Sequence, residues 1–162
     1  MSEAEEAAAA RTMVRFAKTE EDARSVVALG RESFDRTRLN THPFDEARAL
    51  SLVRKGMEGG AAVLLVVRRG AEDVGFVAGQ IGAALFSAAR TATVVAFYVR
   101  PSILNGEAAV KLMQAFRNWA EAAKADEIQL HVTSGVRMAE TDRFMRRLGF
   151  RQTGGNYVQE LT

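Results

Sequence analysis

Residues 91–123 read TATVVAFYVRPSILNGEAAVKLMQAFRNWAEAA, and two periods meet inside this stretch. Residues 91–99 carry Val, Phe, Tyr and Thr, which suit a pleated strand, and Pro101 ends it. Beyond a short loop, Ala109, Leu112, Met113, Phe116, Ala120 and Ala123 recur at helical spacing and form one apolar stripe. Residues 128–133 then read as a strand again. A strand, an amphipathic helix and a second strand in succession predict two parallel neighbours joined by a crossover.

Upstream, the pattern continues in both periods. Residues 14–17 are a short strand candidate. Thr19-Glu20-Glu21-Asp22 marks a helix start, with a hydroxyl cap and acids at the positive end of the dipole. Ala23, Val26, Val27, Gly30 and Phe34 follow at helical spacing. Asn40-Thr41-His42-Pro43 interrupts, and residues 44–57 predict a second helix that Gly59-Gly60 stops. Residues 61–68 form an apolar run that predicts a buried strand. Residues 70–73 turn, and residues 74–86 predict a long strand. Gly75, Gly79 and Gly82 within it point to bulges or close backbone approach. Residues 87–90 turn into the opening stretch.

Downstream, residues 137–147 predict a short helix ended by Leu148-Gly149, and residues 156–161 a last strand. The expected architecture is α/β: a mixed, mostly antiparallel sheet flanked by helices, with one parallel pair. Residues 13–162 form one domain. Residues 1–12 are read as a flexible tail or a short solvent-facing helix.

The composition narrows the function classes. A chain of 162 residues with 48% apolar residues builds a core without staples. The absence of cysteine removes disulfides and thiolate chemistry, and it is compatible with a reducing cytoplasm. The two histidines are far apart, so no metal constellation is expected. Net charge is +2 and the pI is near 9.3, a milder excess than a dedicated nucleic-acid binder carries. No apolar run approaches the roughly 18 residues that span a bilayer. There is no Walker-type loop and no Gly-x-Ser-x-Gly elbow. Phe116 and Trp119 on the long helix read as core and core border rather than a stacking platform.

Three segments resemble the GNAT (GCN-related N-acetyltransferase) superfamily. Phe97-Tyr98-Val99-Arg100-Pro101 resembles that family's central strand running into its proline. Leu104-Asn105-Gly106-Glu107-Ala108-Ala109 stands where its pyrophosphate loop meets its helix. Arg146-Arg147-Leu148-Gly149-Phe150 is similar to the family's ending of the last helix. Gly155-Asn156-Tyr157 is similar to the tails of small phage and bacterial members. The resemblance covers residues 13–162. It implies a GNAT fold with a splayed parallel strand pair, acetyl-CoA as co-substrate, and an amine as acetyl acceptor. A cytoplasmic setting, no membrane and no nucleic-acid partner go with it, and a homodimer is compatible.

The physical logic agrees. A diphosphate needs converging N–H donors, and a helix N-terminus offers them with a favourable dipole. Gly106, Ala108 and Ala109 are small enough to admit it. The family's loop pattern departs here at Leu104, which removes a donor, and at Glu107, which adds a carboxylate that must turn outward. Lys111 or Arg117 could supply positive charge. The resemblance further implies that main-chain groups of Phe97, Tyr98 and Val99 pair with the pantetheine arm as with an added strand.

Acetyl transfer needs a base for the amine proton and an acid for the leaving thiolate. The family's usual Glu, Asn and Tyr positions fall here on Thr133, Met138 and Met145, none of which does that work. The substitute candidates are Tyr98, His131 and Tyr157, with Ser134 beside them. His131 has the intrinsic pKa of a base, and Tyr98 is an alternative acid. His42 lies in a loop where acceptor specificity is often set. Two functions follow: an N-acetyltransferase, or an acyl-CoA-binding or virion-associated protein that keeps the fold without turnover.

Overall fold

The computed structural model describes residues 2–5, 11–101 and 106–161. Five strands form one sheet in chain order: β1 (Thr12–Phe16), β2 (Ala62–Arg69), β3 (Glu72–Ala83), β4 (Arg90–Val99) and β5 (Glu127–Leu130). Neighbours are antiparallel except β4 and β5, which are parallel. Helix α3 (Glu107–Ala122) makes the crossover between them, as its position in the sequence predicts.

Helices cover both faces. Helix α1 (Glu20–Asp35) opens with a capping box: Thr19 Oγ1 accepts the Asp22 N–H at 3.0 Å, and Asp22 Oδ2 accepts the Thr19 N–H at 3.2 Å. Helix α2 (Glu46–Met57) starts two residues later than expected. Asp45 caps it by accepting the Arg48 N–H, and Phe44 packs edge-on against Phe34 instead of entering the helix.

The sheet divides two cores. Val26 and Leu29 of α1, with Ala17, pack on Leu64, Val66 and Phe76. On the other face Leu112, Met113 and Phe116 of α3 pack on Val63, Leu65, Val67 and Val77. Residues 63–67 are therefore buried without a break, because both faces of β2 are covered. Ala108, rather than Ala109, takes the first buried position of the α3 stripe, and Ala123 is its C-cap.

Two of the three glycines of β3 answer to close approach. A Cβ on Gly75 would stand 2.6 Å from Tyr98 O, and one on Gly79 would run into the Phe116 ring. Gly82 faces open space. Other boundaries also differ. β3 starts two residues early at Glu72 and ends at Ala83, three short of residue 86, and β4 begins at Arg90, inside the expected turn. β1 begins at Thr12, which is buried, so the strand takes one residue from the expected tail; Ser2 and Glu5 bond each other across helical residues 3–5. β5 stops at Leu130, three residues short of Thr133. The expected last strand does not form: residues 151–161 are exposed and carry no regular structure. Helix α4 (Met138–Arg147) precedes them.

Candidate functional site

The site is built where β4 and β5 part. Their pairing runs from Thr91↔Glu127 to Val94↔Leu130 and ends there, while β4 continues through Val99. On its other edge β4 stays paired with β3 as far as Val99↔Gly75. Main-chain groups of residues 95–99 that face away from β3 thus line the opening beyond Val94 and Leu130.

A bulge sits at the parting. Ala78 pairs with Ala96 and Gly79 with Val94, so Val95 has no partner on β3 and is 63% exposed. The extra residue reverses the facing of every side chain after it. Ala92 and Val94 pack toward α3; beyond the bulge Phe97 and Val99 do, and Phe97 stacks on Phe144 of α4. Ala96 and Tyr98 turn to the α1 side.

Tyr98 there meets Glu32 of α1. Its hydroxyl donates to Glu32 Oε2 at 3.5 Å, and Arg100 grips the same carboxylate through Nε at 3.0 Å and Nη2 at 2.8 Å. The Arg100 hydrogen bonds hold the Glu32 carboxyl below its usual range, against a smaller upward push from burial. Burial, then the Glu32 charge, push the Tyr98 phenol up, so it keeps its proton. Glu32 lies three residues beyond buried Leu29, on the edge of the apolar stripe of α1. An acid at such a place was the available signal for it, and together with Arg100 it is what sequence reasoning missed.

At the head of α3, Gly106 is left-handed with φ 68°. The helical ladder starts with the Val110 N–H on Gly106 O, so the amides of Glu107, Ala108 and Ala109 lie ahead of it. The Glu107 carboxylate is drawn to Lys111 at 2.9 Å and accepts the Thr12 hydroxyl at 3.3 Å. The Lys111 hydrogen bond lowers its pKa. The carboxylate thus turns sideways onto Lys111 and Thr12. Lys111 also donates to Thr12 O, and Arg117 pairs with Glu121. Leu104 and Asn105 lie outside the described residues.

His131 is exposed and follows β5 directly, at the mouth of the opening. Arg38 closes one side of that mouth: its N–H donates to Ser134 O at 3.0 Å and its Nε to Thr133 O at 3.1 Å. This joins the 3₁₀ turn Arg38–Thr41 to the end of β5. Ser134 Oγ turns to Val136 O, and His42 is the exposed C-cap of the 3₁₀ turn. Tyr157 is 98% exposed, away from the Tyr98 and Glu32 pair in solvent. Met138 begins α4 and Met145 is buried within it. Tyr98 and His131 thus flank the opening, and the exposed Tyr157 follows Asn156, whose Nδ2 donates to Val132 O at 2.8 Å.

No protein-family model and no curated protein matches this chain. Solved structures do match. The aminoglycoside N-acetyltransferase AAC(6')-Iy, in complex with the bisubstrate analog CoA-S-monomethyl-acetylneamine, is 14% identical with a TM-score of 0.75, over 94% of this chain and 99% of that one. A ribosomal-protein-alanine N-acetyltransferase from Brucella melitensis biovar Abortus 2308 is 18% identical with a TM-score of 0.68, over 93% and 99%. A protein described as a transcriptional regulator from Bacillus halodurans C-125 is 17% identical with a TM-score of 0.75, over 93% and 100%. With its order of elements, its parallel pair and its parting at Val94 and Leu130, the chain has the fold of the GNAT acetyltransferases.

Proposed function

We propose that residues 13–162 act as one acetyl-CoA-dependent N-acetyltransferase domain working in the cytoplasm on an amine acceptor. The observation that carries this is the length of β4 left unpaired beyond Val94. Main-chain groups of Phe97, Tyr98 and Val99 would bond the pantetheine arm as an added strand. The amides of Gly106, Glu107, Ala108 and Ala109, with Leu104 and Asn105 in the loop ahead, would take the diphosphate.

In the transfer, the amine lone pair attacks the thioester carbonyl carbon, the C–N bond forms, and the C–S bond breaks. The amine loses a proton, and the thiolate of CoA gains one. His131, at the mouth, is the base of this reading. Tyr98, whose phenol is pushed up by burial and then by the Glu32 charge, holds its proton and is the acid of this reading for the thiolate. Tyr157, exposed and next to the Asn156 that bonds Val132 O, is the other candidate acid. The solved relatives whose names are acetyltransferases, one of them in complex with CoA, support this reading.

A second reading, an acyl-CoA binder without turnover, draws on Met138 and Met145, which place thioethers where the family's amide and phenol stand. Two measurements separate the readings. Acetyl-CoA should raise the melting temperature, because a ligand of the native state alone stabilises it. Thiol release over a panel of amines should then exceed background hydrolysis. A melting shift without amine-dependent release favours the binder, and no shift at millimolar acetyl-CoA rejects both.

A further inference from the structure

Two guanidinium groups stand near the opening, and neither is matched by an acid. The first is Arg38, on the side of β5. Its N–H donates to Ser134 O at 3.0 Å and its Nε to Thr133 O at 3.1 Å. Its stem lies against Gly135, where an added Cβ would stand 3.2 Å from Arg38 Cδ and where φ is +72°. Main chain, stem and Nε are thus all engaged. Among the described residues, Nη1 and Nη2 make no hydrogen bond and no ion pair, and the side chain is exposed. A guanidinium held at Nε presents its two Nη groups side by side, and that edge matches the two oxygens of a carboxylate.

The second is Arg36, the C-cap of α1, on the side of Tyr98. It stands four residues after Glu32, on the same face of the helix. Its charge acts on both Glu32 and Tyr98. Among the described residues, its side chain also makes no hydrogen bond and no ion pair. Glu32 is not free to balance it, because Arg100 holds that carboxylate at 3.0 and 2.8 Å. Asp35, the other acid of this stretch, is exposed and forms no ion pair with either arginine.

His131 lies two residues ahead of Thr133, and Tyr98 lies beside Arg36. An amine that reaches His131 and Tyr98 therefore comes between two positive charges with donors to spare. A polycation would meet like charge there. An amine with its own carboxylate would meet a fork shaped for it.

We propose that the acceptor is an amine that carries a carboxylate, the class of free amino acids, and that Arg38, seconded by Arg36, binds that carboxylate. The inference rests on the acetyl-transfer reading for where the amine goes, and it adds the acceptor's class and the residues that select it.

The test reads binding, so it needs no turnover. The common L-amino acids and 4-aminobutyrate are each compared with their own carboxamides by calorimetric titration into the full chain, with and without millimolar CoA. Spermidine serves as a polycation and O-phosphoethanolamine as an amine phosphate. At least one amino acid should bind about tenfold more tightly than its amide, the size of one charge-assisted pair. Arg38→Gln should cut that preference to about twofold or less and leave the affinity for the amide in place. Arg38→Lys keeps the charge without the fork and should restore only part of it. Arg36→Gln, whose side chain has no partner to lose, should reduce the preference by a smaller factor. Far-ultraviolet circular dichroism verifies the fold of each variant.

Amino acids and amides that bind alike overturn the proposal, and so does a panel in which no amino acid binds. Spermidine or O-phosphoethanolamine bound more tightly than every amino acid overturns it too, as does a preference that survives Arg38→Gln. Thiol release from acetyl-CoA is then followed with the preferred amino acid. A preference that holds without thiol release rejects acetyl transfer and leaves the carboxylate site standing.

Discussion

Val94 and Leu130 are the last paired residues of the parallel strands β4 and β5, and one step later Val95 bulges out of register with β3. The two events act together. The parting exposes main-chain groups of β4, and the bulge decides which side chains flank them. Without the extra residue, Tyr98 would face Phe116 and α3, and Phe97 would face Glu32.

The tightest packing at this junction is Gly79 beneath Phe116. Gly79→Ala places a Cβ into the Phe116 ring and against Thr93 O. Phe116 is fully buried. Overpacking of this kind costs about 1–3 kcal/mol. Urea denaturation should show that loss, and a change smaller than about 0.5 kcal/mol would mean the ring relaxes freely.

Ala109→Glu separates helix stability from anion binding. An acid in the first turn of α3 should leave stability unchanged or raise it by up to about 1 kcal/mol. The same charge within about 8 Å of a diphosphate, at an effective dielectric of about 20, opposes it by roughly 2 kcal/mol. Calorimetric titration should therefore show acetyl-CoA binding at least about tenfold weaker, with the melting temperature of the free protein intact. Unchanged affinity would remove the diphosphate from this helix end.

Glu32 should be readable through Tyr98. The chain has two tyrosines, so in a Tyr157→Phe background the phenolate absorbance reports Tyr98 alone. Burial and the Glu32 charge both raise its pKa, in that order. Glu32→Gln removes the second cause only, and the phenol should move down toward its ordinary value of about 10 without reaching it. An unmoved titration would mean that Glu32 does not act on Tyr98.

Acid stability should centre on Asp73. It accepts from both Arg15 nitrogens, from Arg68 Nε at 3.0 Å and from Ser25 Oγ at 2.7 Å, linking β1, β2, β3 and α1. Burial pushes its carboxyl up, but Arg15, Ser25 and Arg68 together bring it below its ordinary value. A carboxyl depressed on folding contributes stability that is fully present above its unfolded pKa, about 3.9, and is lost as pH falls through the folded value. Asp73→Asn should cost about 1–3 kcal/mol at neutral pH, the lower end reflecting the partial exposure of both arginines. The gap between variant and parent should close as pH drops below 4. A gap that stays constant with pH would point to lost shape rather than lost charge.

His131→Ala tests the proposed base. Its side chain is exposed, so the fold should not change. Turnover with the best amine should fall about a hundredfold, while the KM for acetyl-CoA stays put. Unchanged turnover would return the role of base to water or to another group.

The element order was legible because it rests on short-range chemistry. The Thr19 cap, the Gly59-Gly60 stop and the stripe from Leu112 to Ala120 each depend on residues within a few turns of one another. The strand expected at residues 156–161 shows where such reading stops. Tyr, Val and Leu favour a pleat, but a strand needs a neighbour, and among the described residues this segment has no backbone partner.

Local sequence therefore set the order of the helices and of the five strands that pair, to within a few residues at their ends, and that a crossover makes β4 and β5 parallel. Tertiary alignment set where the extra residue falls, at Val95, where the parallel pair parts, after Leu130, and the meeting of Tyr98 with Glu32 and Arg100. The reason is physical. A bulge and a splay are properties of two strands compared with each other, and Glu32 stands 66 residues from Tyr98 along the chain. No window on one strand contains the partner that gives its register meaning.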